Sequence, residues 1–227
     1  DVMQNIAAEN NLSETAFYVC NDEDFEIRWF TPTVEVNLCG HATLAAAFVV
    51  FERGEVVGNQ VVFNSKSGAL KVDKTADGLE LDFPITVPSV VELPKWIKDV
   101  GGNPIEAYSC EDDFLLIYDS EEAIENLKPN FTALKQVPVR GIICSSKSER
   151  YDFVSRFFAP GAGIDEDPVT GSAHTKLVPY WAKVLKKEKL LAKQISKRGG
   201  ELKCNLLGDR VKLSGEAKLF LKGEIYI

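Results

Sequence analysis

The sequence predicts an α+β fold built from two like halves, and three observations point to it. Strand-like runs lead into an apolar helical stretch twice, near residue 40 and near residue 171, and further strand-like runs follow each time. Arg28-Trp29-Phe30-Thr31-Pro32 ahead of Gly40-His41-Ala42 recurs as Arg156-Phe157-Phe158-Ala159-Pro160 ahead of Gly171-Ser172-Ala173. The arginines lie 128 residues apart and the glycines 131, so the copies agree apart from a three-residue insertion. Between them, the stretch from Phe83 to Pro94 holds three prolines and reads as a connector. A boundary at 87/88 divides the chain into halves 1–87 and 88–227.

In chain order, Asp1 to Glu9 reads as a helix with Val2, Ile6 and Met3 inward. Strands follow at 15–20 and 25–31, the second alternating as Phe25, Ile27, Trp29. Gly40 opens a helix to about Phe51. Strands at 60–65, 69–73 and 79–83 are punctuated by Ser67-Gly68 and Asp77-Gly78, which are hairpin signals. Past the connector come a short helix at 93–99, strands at 104–109 and 113–118, acidic helical turns at 120–127, and strands at 139–145 and 151–158. Gly171 opens a second long helix to about Lys187, and four more strand-like runs end the chain. The first half is short ahead of its motif, so an opening strand is expected to lie upstream of Asp1, along with the natural N-terminus.

Composition narrows the function classes. With 45% hydrophobic and 26% charged residues the chain has a globular core, which excludes disorder and collagen-like repeats. The longest apolar run, Leu44 to Phe51, is far short of the roughly 20 residues of a membrane helix, so a soluble protein is expected. Five cysteines at irregular spacing, without a C-x-x-C pair, point away from a disulfide framework and toward a reducing, cytoplasmic compartment. A net charge of −8 argues against nucleic acid or an anionic membrane as partner. Residues 183–227 carry +7 against −15 for the rest. The basic run at Lys183, Lys186, Lys187 and Lys189 reads as a solvated helix end, because no aromatic residues are interleaved for stacking.

The repeated glycines stand where chemistry could sit. The first N–H groups of a helix have no internal partner and favour an anion such as a carboxylate, and glycine lets a ligand approach the backbone. The plainer reading is that Gly40 and Gly171 cap or pack their helices. Both histidines of the chain, His41 and His174, fall in these motifs. Cys39-Gly40-His41 offers a nucleophile, a ligand or a proton donor, although neighbouring side chains at a turn rarely face each other. Two histidines with no matching carboxylate spacing form no ligand set, so no metal is expected. His174, inside the second helix, reads as a core or surface residue. In Asp165-Glu166-Asp167-Pro168, Pro168 restrains Asp167 beside a helix start, which suits either a cap or a carboxylate held in one place. Ser13 and Glu14 read as helix-end polar residues; a glutamate there facing an apolar cleft could also take and return a proton.

Taken together, Asn11-Leu12-Ser13-Glu14-Thr15-Ala16-Phe17, Arg28-Trp29-Phe30-Thr31-Pro32, Leu38-Cys39-Gly40-His41-Ala42-Thr43-Leu44 and Glu166-Asp167-Pro168-Val169-Thr170-Gly171-Ser172-Ala173 resemble the PhzF-like, phenazine-biosynthesis-like isomerases over essentially the whole chain. Arg198-Gly199-Gly200-Glu201 fits as well. The resemblance implies a diaminopimelate-epimerase-like fold, each half wrapping a β-barrel-like sheet around a central helix, with the active site in the cleft between. It implies Glu14, Asp167 and His41 as catalytic residues, and Ser13, Gly40, Gly171 and Ser172 as binding residues for a small carboxylate. It implies no cofactor or metal, and a homodimer. Two departures stand out. Related epimerases and proline racemases carry a cysteine before each helix-start glycine, whereas here Cys39 is answered by Thr170. The family's opening strand and Gly-Asn-Pro segment do not precede Asp1. Proton transfer by Glu14 is therefore the leading reading; the alternatives are an amino-acid racemase or epimerase using Cys39, and a catalytically silent interaction protein.

Overall fold

The computed structural model describes residues 1–226 apart from 22 and 23. The first half runs α1 (Val2–Asn10), β1 (Thr15–Asn21), β2 (Asp24–Phe30), β3 (Glu35–Val36), α2 (Gly40–Glu52), β4 (Gln60–Ser65), β5 (Gly68–Thr75) and β6 (Gly78–Pro84). The rest runs β7 (Ser89–Val91), α3 (Ile97–Val100), β8 (Glu106–Cys110), β9 (Asp113–Ile117), α4 (Glu121–Glu125), α5 (Phe131–Leu134), β10 (Gly141–Lys147), β11 (Phe153–Phe158), α6 (Gly171–Leu185), β12 (Lys189–Gln194), β13 (Gly200–Leu207) and β14 (Arg210–Gly215). Among the described residues the strands form one sheet, ordered β1-β2-β4-β5-β6-β14-β13-β12-β11-β10-β9-β8-β7, with β3 paired to β2.

The sequence repeat is a repeat of pairing. β2 runs antiparallel to β1 and parallel to β4, with Phe25 opposite Phe63. β11 runs antiparallel to β10 and parallel to β12, with Phe153 opposite Ala192. Each of these two parallel pairs is bridged by a crossover that contains a long helix, since parallel strands need a long connection. α2 buries Ala42, Thr43, Ala46, Ala47 and Val50, and α6 buries Ala173, Leu177, Val178 and Trp181. Alternate residues of the surrounding strands point at these helices: Val61 and Phe63, Leu79, Leu81 and Phe83, Leu202 and Cys204, Val211 and Leu213. The halves share the sheet through β6 and β14, antiparallel from Arg210 opposite Pro84 to Gly215 opposite Leu79.

Three expectations are corrected. Val2 does not point inward: it is 55% exposed, and Ala7 is the buried residue of α1, because a small side chain lets the helix lie close on β1 and β2. The stretch 93–99 is helical only from Ile97, while β7, bracketed by Pro88 and Pro94, is a strand the local pattern does not reveal. Of the four runs after α6 only three are strands. Residues 216–226 pair with nothing described, since both edges of β14 are already taken by β6 and β13, and Leu219, Phe220, Leu221 and Tyr226 are exposed.

Candidate active site

α2 and α6 meet start to start. A methyl group built on Gly40 would lie 3.6 Å from the Gly171 Cα, and one built on Gly171 would lie 3.6 Å from the Gly40 Cα. Neither glycine sits in the left-handed region and a Cβ on either would meet only ordinary contacts, so the fold itself does not demand glycine; a bare backbone does leave the helix starts open to a ligand. Cys39 and Thr170 precede them in extended conformation, and neither side chain caps its helix. The first amides of both helices therefore converge on one place with no partner within their own helix.

Matched devices hold the two helix starts. Arg28 donates from Nε and Nη2 to Glu35 at 2.8 and 2.9 Å, and Arg156 donates in the same way to Glu166 at 2.7 and 2.9 Å. The repeated arginine thus clamps a glutamate in the segment that leads into each helix. The Thr43 hydroxyl donates to the Cys39 carbonyl at 2.6 Å, and His174 Nδ1 donates to the Thr170 carbonyl at 2.8 Å. Thr43 and His174 occupy corresponding places in the repeat, so His174 is a buried staple. Burial lowers its pKa to about 4 and keeps it neutral. At the place where α2 has His41, α6 has Ser172.

From the start of β1, Glu14 reaches across to this junction, with Oε2 3.2 Å from His41 Nε2. The Cys39 sulfur lies 3.7 Å from His41 Nδ1 and 3.9 Å from Nε2. Cys39 and His41 do face each other, contrary to the expectation for residues this close in sequence, because the extended Cys39 turns its side chain back under the first helical turn. Burial works against charging His41, but Cys39, Glu14 and the nearby Asp167 outweigh it and hold the imidazole pKa well above the usual histidine value. Burial pushes the Cys39 thiol up, with His41 opposing.

The second half contributes Asp167, buried, with Oδ2 accepting the Thr170 hydroxyl at 2.5 Å and Oδ1 without a partner among the described residues. Burial pushes its carboxyl up to about 6, aided by Glu14 and opposed by His41, Thr170 and Arg198. Ser13 is half-buried in the turn beside Glu14. Ser172, in the first turn of α6, accepts from Arg140 Nη2 at 3.2 Å.

Sequence reasoning missed the supports of this site. Gln194 donates to the Asp167 carbonyl at 2.6 Å and to the Thr170 hydroxyl at 3.1 Å, and accepts from the Thr170 N–H at 2.8 Å, fixing the loop that carries Asp167. Arg140, which holds Ser172, is itself paired with the fully buried Asp113, to which Lys176 donates at 2.8 Å. A lysine within the apolar stretch of α6 was the one available signal. The Gly199-Gly200 pair also finds its reason here: a Cβ on Gly200 would lie 2.2 Å from Val169 Cγ2, so a side chain there would push the Asp167 loop.

No described helix is long and apolar enough to cross a membrane. A family model described as phenazine biosynthesis-like protein matches residues 1–223. An uncharacterized isomerase of Pseudomonas aeruginosa is 50% identical over 226 residues, covering 99% of this chain and 87% of that protein. The crystal structure of a PhzF-family phenazine biosynthesis protein from Enterococcus faecalis is similar with a TM-score of 0.94 and 46% identity, over 100% of this chain and 87% of that one. A hydroxyproline epimerase from Agrobacterium vitis, at 11% identity and a TM-score of 0.57 over 90% of this chain and 72% of its own, shares the fold alone.

Proposed function

The chain belongs to the phenazine biosynthesis-like family and is an isomerase, and from that premise we propose that it moves a proton between carbons of a small carboxylic acid by way of Glu14. The observation that carries this reading is the meeting of Glu14, His41 and Asp167 at two facing helix starts. In this reading the substrate carboxylate accepts from the free amides at Gly40 and Gly171 and from the Ser172 hydroxyl. Arg140 can only donate, so the Ser172 oxygen accepts from it and the serine proton is left to point at the substrate. Ser13 flanks the base.

The Glu14 carboxylate takes a proton from carbon, and the electron pair left behind spreads toward the substrate carboxylate. The His41 imidazolium, 3.2 Å from Glu14, offsets that developing negative charge. Glu14 then returns the proton to a second carbon, while Asp167, pushed up to about 6, can hold or give a proton nearby. Side chains supply every acid and base in this scheme, so it calls for no cofactor and no metal. Cys39 is less suited to be the base, since burial raises its thiol and its counterpart, Thr170, spends its hydroxyl on Asp167. A homodimer in the reducing cytoplasm, binding neither nucleic acid nor membrane, completes the proposal.

The test is deuterium wash-in. A panel of cyclic and acyclic carboxylic acids incubated with the chain in D2O is read by proton NMR. Exchange at one carbon of at least one acid is expected, falling by about 1,000-fold in Glu14→Gln. Exchange that persists unchanged in that variant and vanishes in Cys39→Ser would transfer the role to the thiol.

A further inference from the structure

Glu14, Cys39 and His41 form a second kind of constellation that proton transfer alone does not use. One oxygen, one sulfur and one nitrogen, from three different ligand-type side chains, lie within 4.8 Å of one another. We propose that this cluster binds a borderline-soft divalent cation of the Zn2+ class, which would hold the site in a blocked state until the ion is removed.

The spacing suits a tetrahedral ion. Bond lengths of about 2.0 Å to nitrogen or oxygen and 2.3 Å to sulfur give tetrahedral edges of about 3.3 Å between N and O and 3.5 Å between S and N. The corresponding separations here are 3.2 Å from His41 Nε2 to Glu14 Oε2 and 3.9 Å from His41 Nε2 to the Cys39 sulfur. The ligand set of thiolate, imidazole and carboxylate selects Zn2+ or Co2+ over the oxygen-seeking Mg2+ and Ca2+. An independent observation points the same way. Asp167 is 5% exposed, its Oδ1 has no partner among the described residues, and it interacts electrostatically with both Glu14 and His41. Two carboxylates, one of them with a buried oxygen that lacks a hydrogen-bond partner, and a thiol thus surround one imidazole, a donor set that a divalent ion would satisfy. Binding displaces the Cys39 thiol proton and the His41 imidazolium proton, and both leave to solvent.

Binding itself does not depend on the isomerase reading; the block does, because an ion on Glu14 and His41 occupies the carboxylate lone pair that takes the proton and removes the imidazolium that offsets its charge. The experiment is titration of the metal-free chain with ZnCl2 by calorimetry and with CoCl2 by absorbance. We expect one ion per chain, proton release that scales with buffer ionisation enthalpy, and a Co2+ thiolate charge-transfer band. Cys39→Ser should abolish the band and weaken binding by about 100-fold, and Glu14→Gln by about tenfold or more, given that even outer partners of a metal ligand are worth 10–100-fold. Cys20→Ser, on the exposed cysteine of β1, should change nothing. Circular dichroism checks that the variants fold, and if Cys39→Ser does not, the near-isosteric Glu14→Gln decides. No saturable binding, a spectrum without a thiolate band, or affinity unchanged in Glu14→Gln overturns the inference. Deuterium exchange without metal binding removes only this inference, and metal binding without exchange removes only the isomerase reading.

Discussion

His41 and His174 are the two histidines of the chain, and the fold uses them in opposite ways. His41 faces Glu14 and is held charged, whereas His174 is sealed in the core and staples a carbonyl. Asp167 and His174 also respond to pH in opposite directions. The Asp167 carboxyl is raised from 3.8 to about 6, so between those values the folded chain keeps a proton the unfolded chain has lost, and stability falls as pH rises, by about 3 kcal/mol in all. His174 is lowered from 6.5 to about 4, so over nearly the same window the unfolded chain binds the proton first, and stability falls as pH drops. Together the two leave a shallow profile. Asp167→Asn should uncover the His174 slope: relative to wild type, its stability gain should be largest above pH 6 and shrink toward pH 4, in urea titrations, while exchange activity drops. A constant difference across that range would remove the assignment. The sequence already set His174 apart, inside the second helix, as a core or surface residue; that His41 meets Glu14 and that Asp167 is buried are properties of the fold.

At the scale of elements, the helix-start glycines and the repeated arginines make separable predictions. Because a Cβ at Gly171 meets only the Gly40 Cα at ordinary contact distance, Gly171→Ala should fold with stability changed by no more than about 1 kcal/mol. It should nevertheless lose about 100-fold in exchange activity, since the methyl group stands between the converging amides. A large fall in melting temperature instead would make Gly171 a packing residue. The two arginine clamps look alike in sequence but differ in cost. Arg28 is 44% exposed and bonds only Glu35 among its described hydrogen-bond partners, so Arg28→Ala should cost under about 1 kcal/mol. Arg156 is 13% exposed and also donates to the carbonyls of Ile124 and Leu127, so Arg156→Ala should cost about 3 kcal/mol, measured by chemical denaturation. The repeat could be read from sequence because both copies keep the arginine, the aromatic residues and the glycine. The glutamate partners were not readable, since the three-residue insertion falls between arginine and helix and hides their correspondence.

For the whole molecule, the continuous sheet is the decisive feature. Strands β6 and β14 come from different halves of the chain and pair along almost their full length, with Leu81 opposite Leu213 and Phe83 opposite Val211, all buried. The two halves should therefore unfold as one. In Leu213→Ala, expected to lose about 2–5 kcal/mol, fluorescence of Trp29 in the first half and circular dichroism of the entire sheet should shift to a common, lower midpoint. Two separated transitions would mean that the halves fold independently. We propose that they nonetheless divide at 87/88, in the short link between β6 and β7. The sequence by itself determined the α+β class, the doubling, both long helices and the residues able to do chemistry, because those depend on local periodicity and on motifs only a few residues long. The tertiary structure alone decided that Glu14 meets His41 with Asp167 nearby, that Asp113 sits between Arg140 and Lys176, and that β6 finds β14. Which distant group a side chain faces is set by how helices and strands bury one another, and one-dimensional spacing does not carry that information.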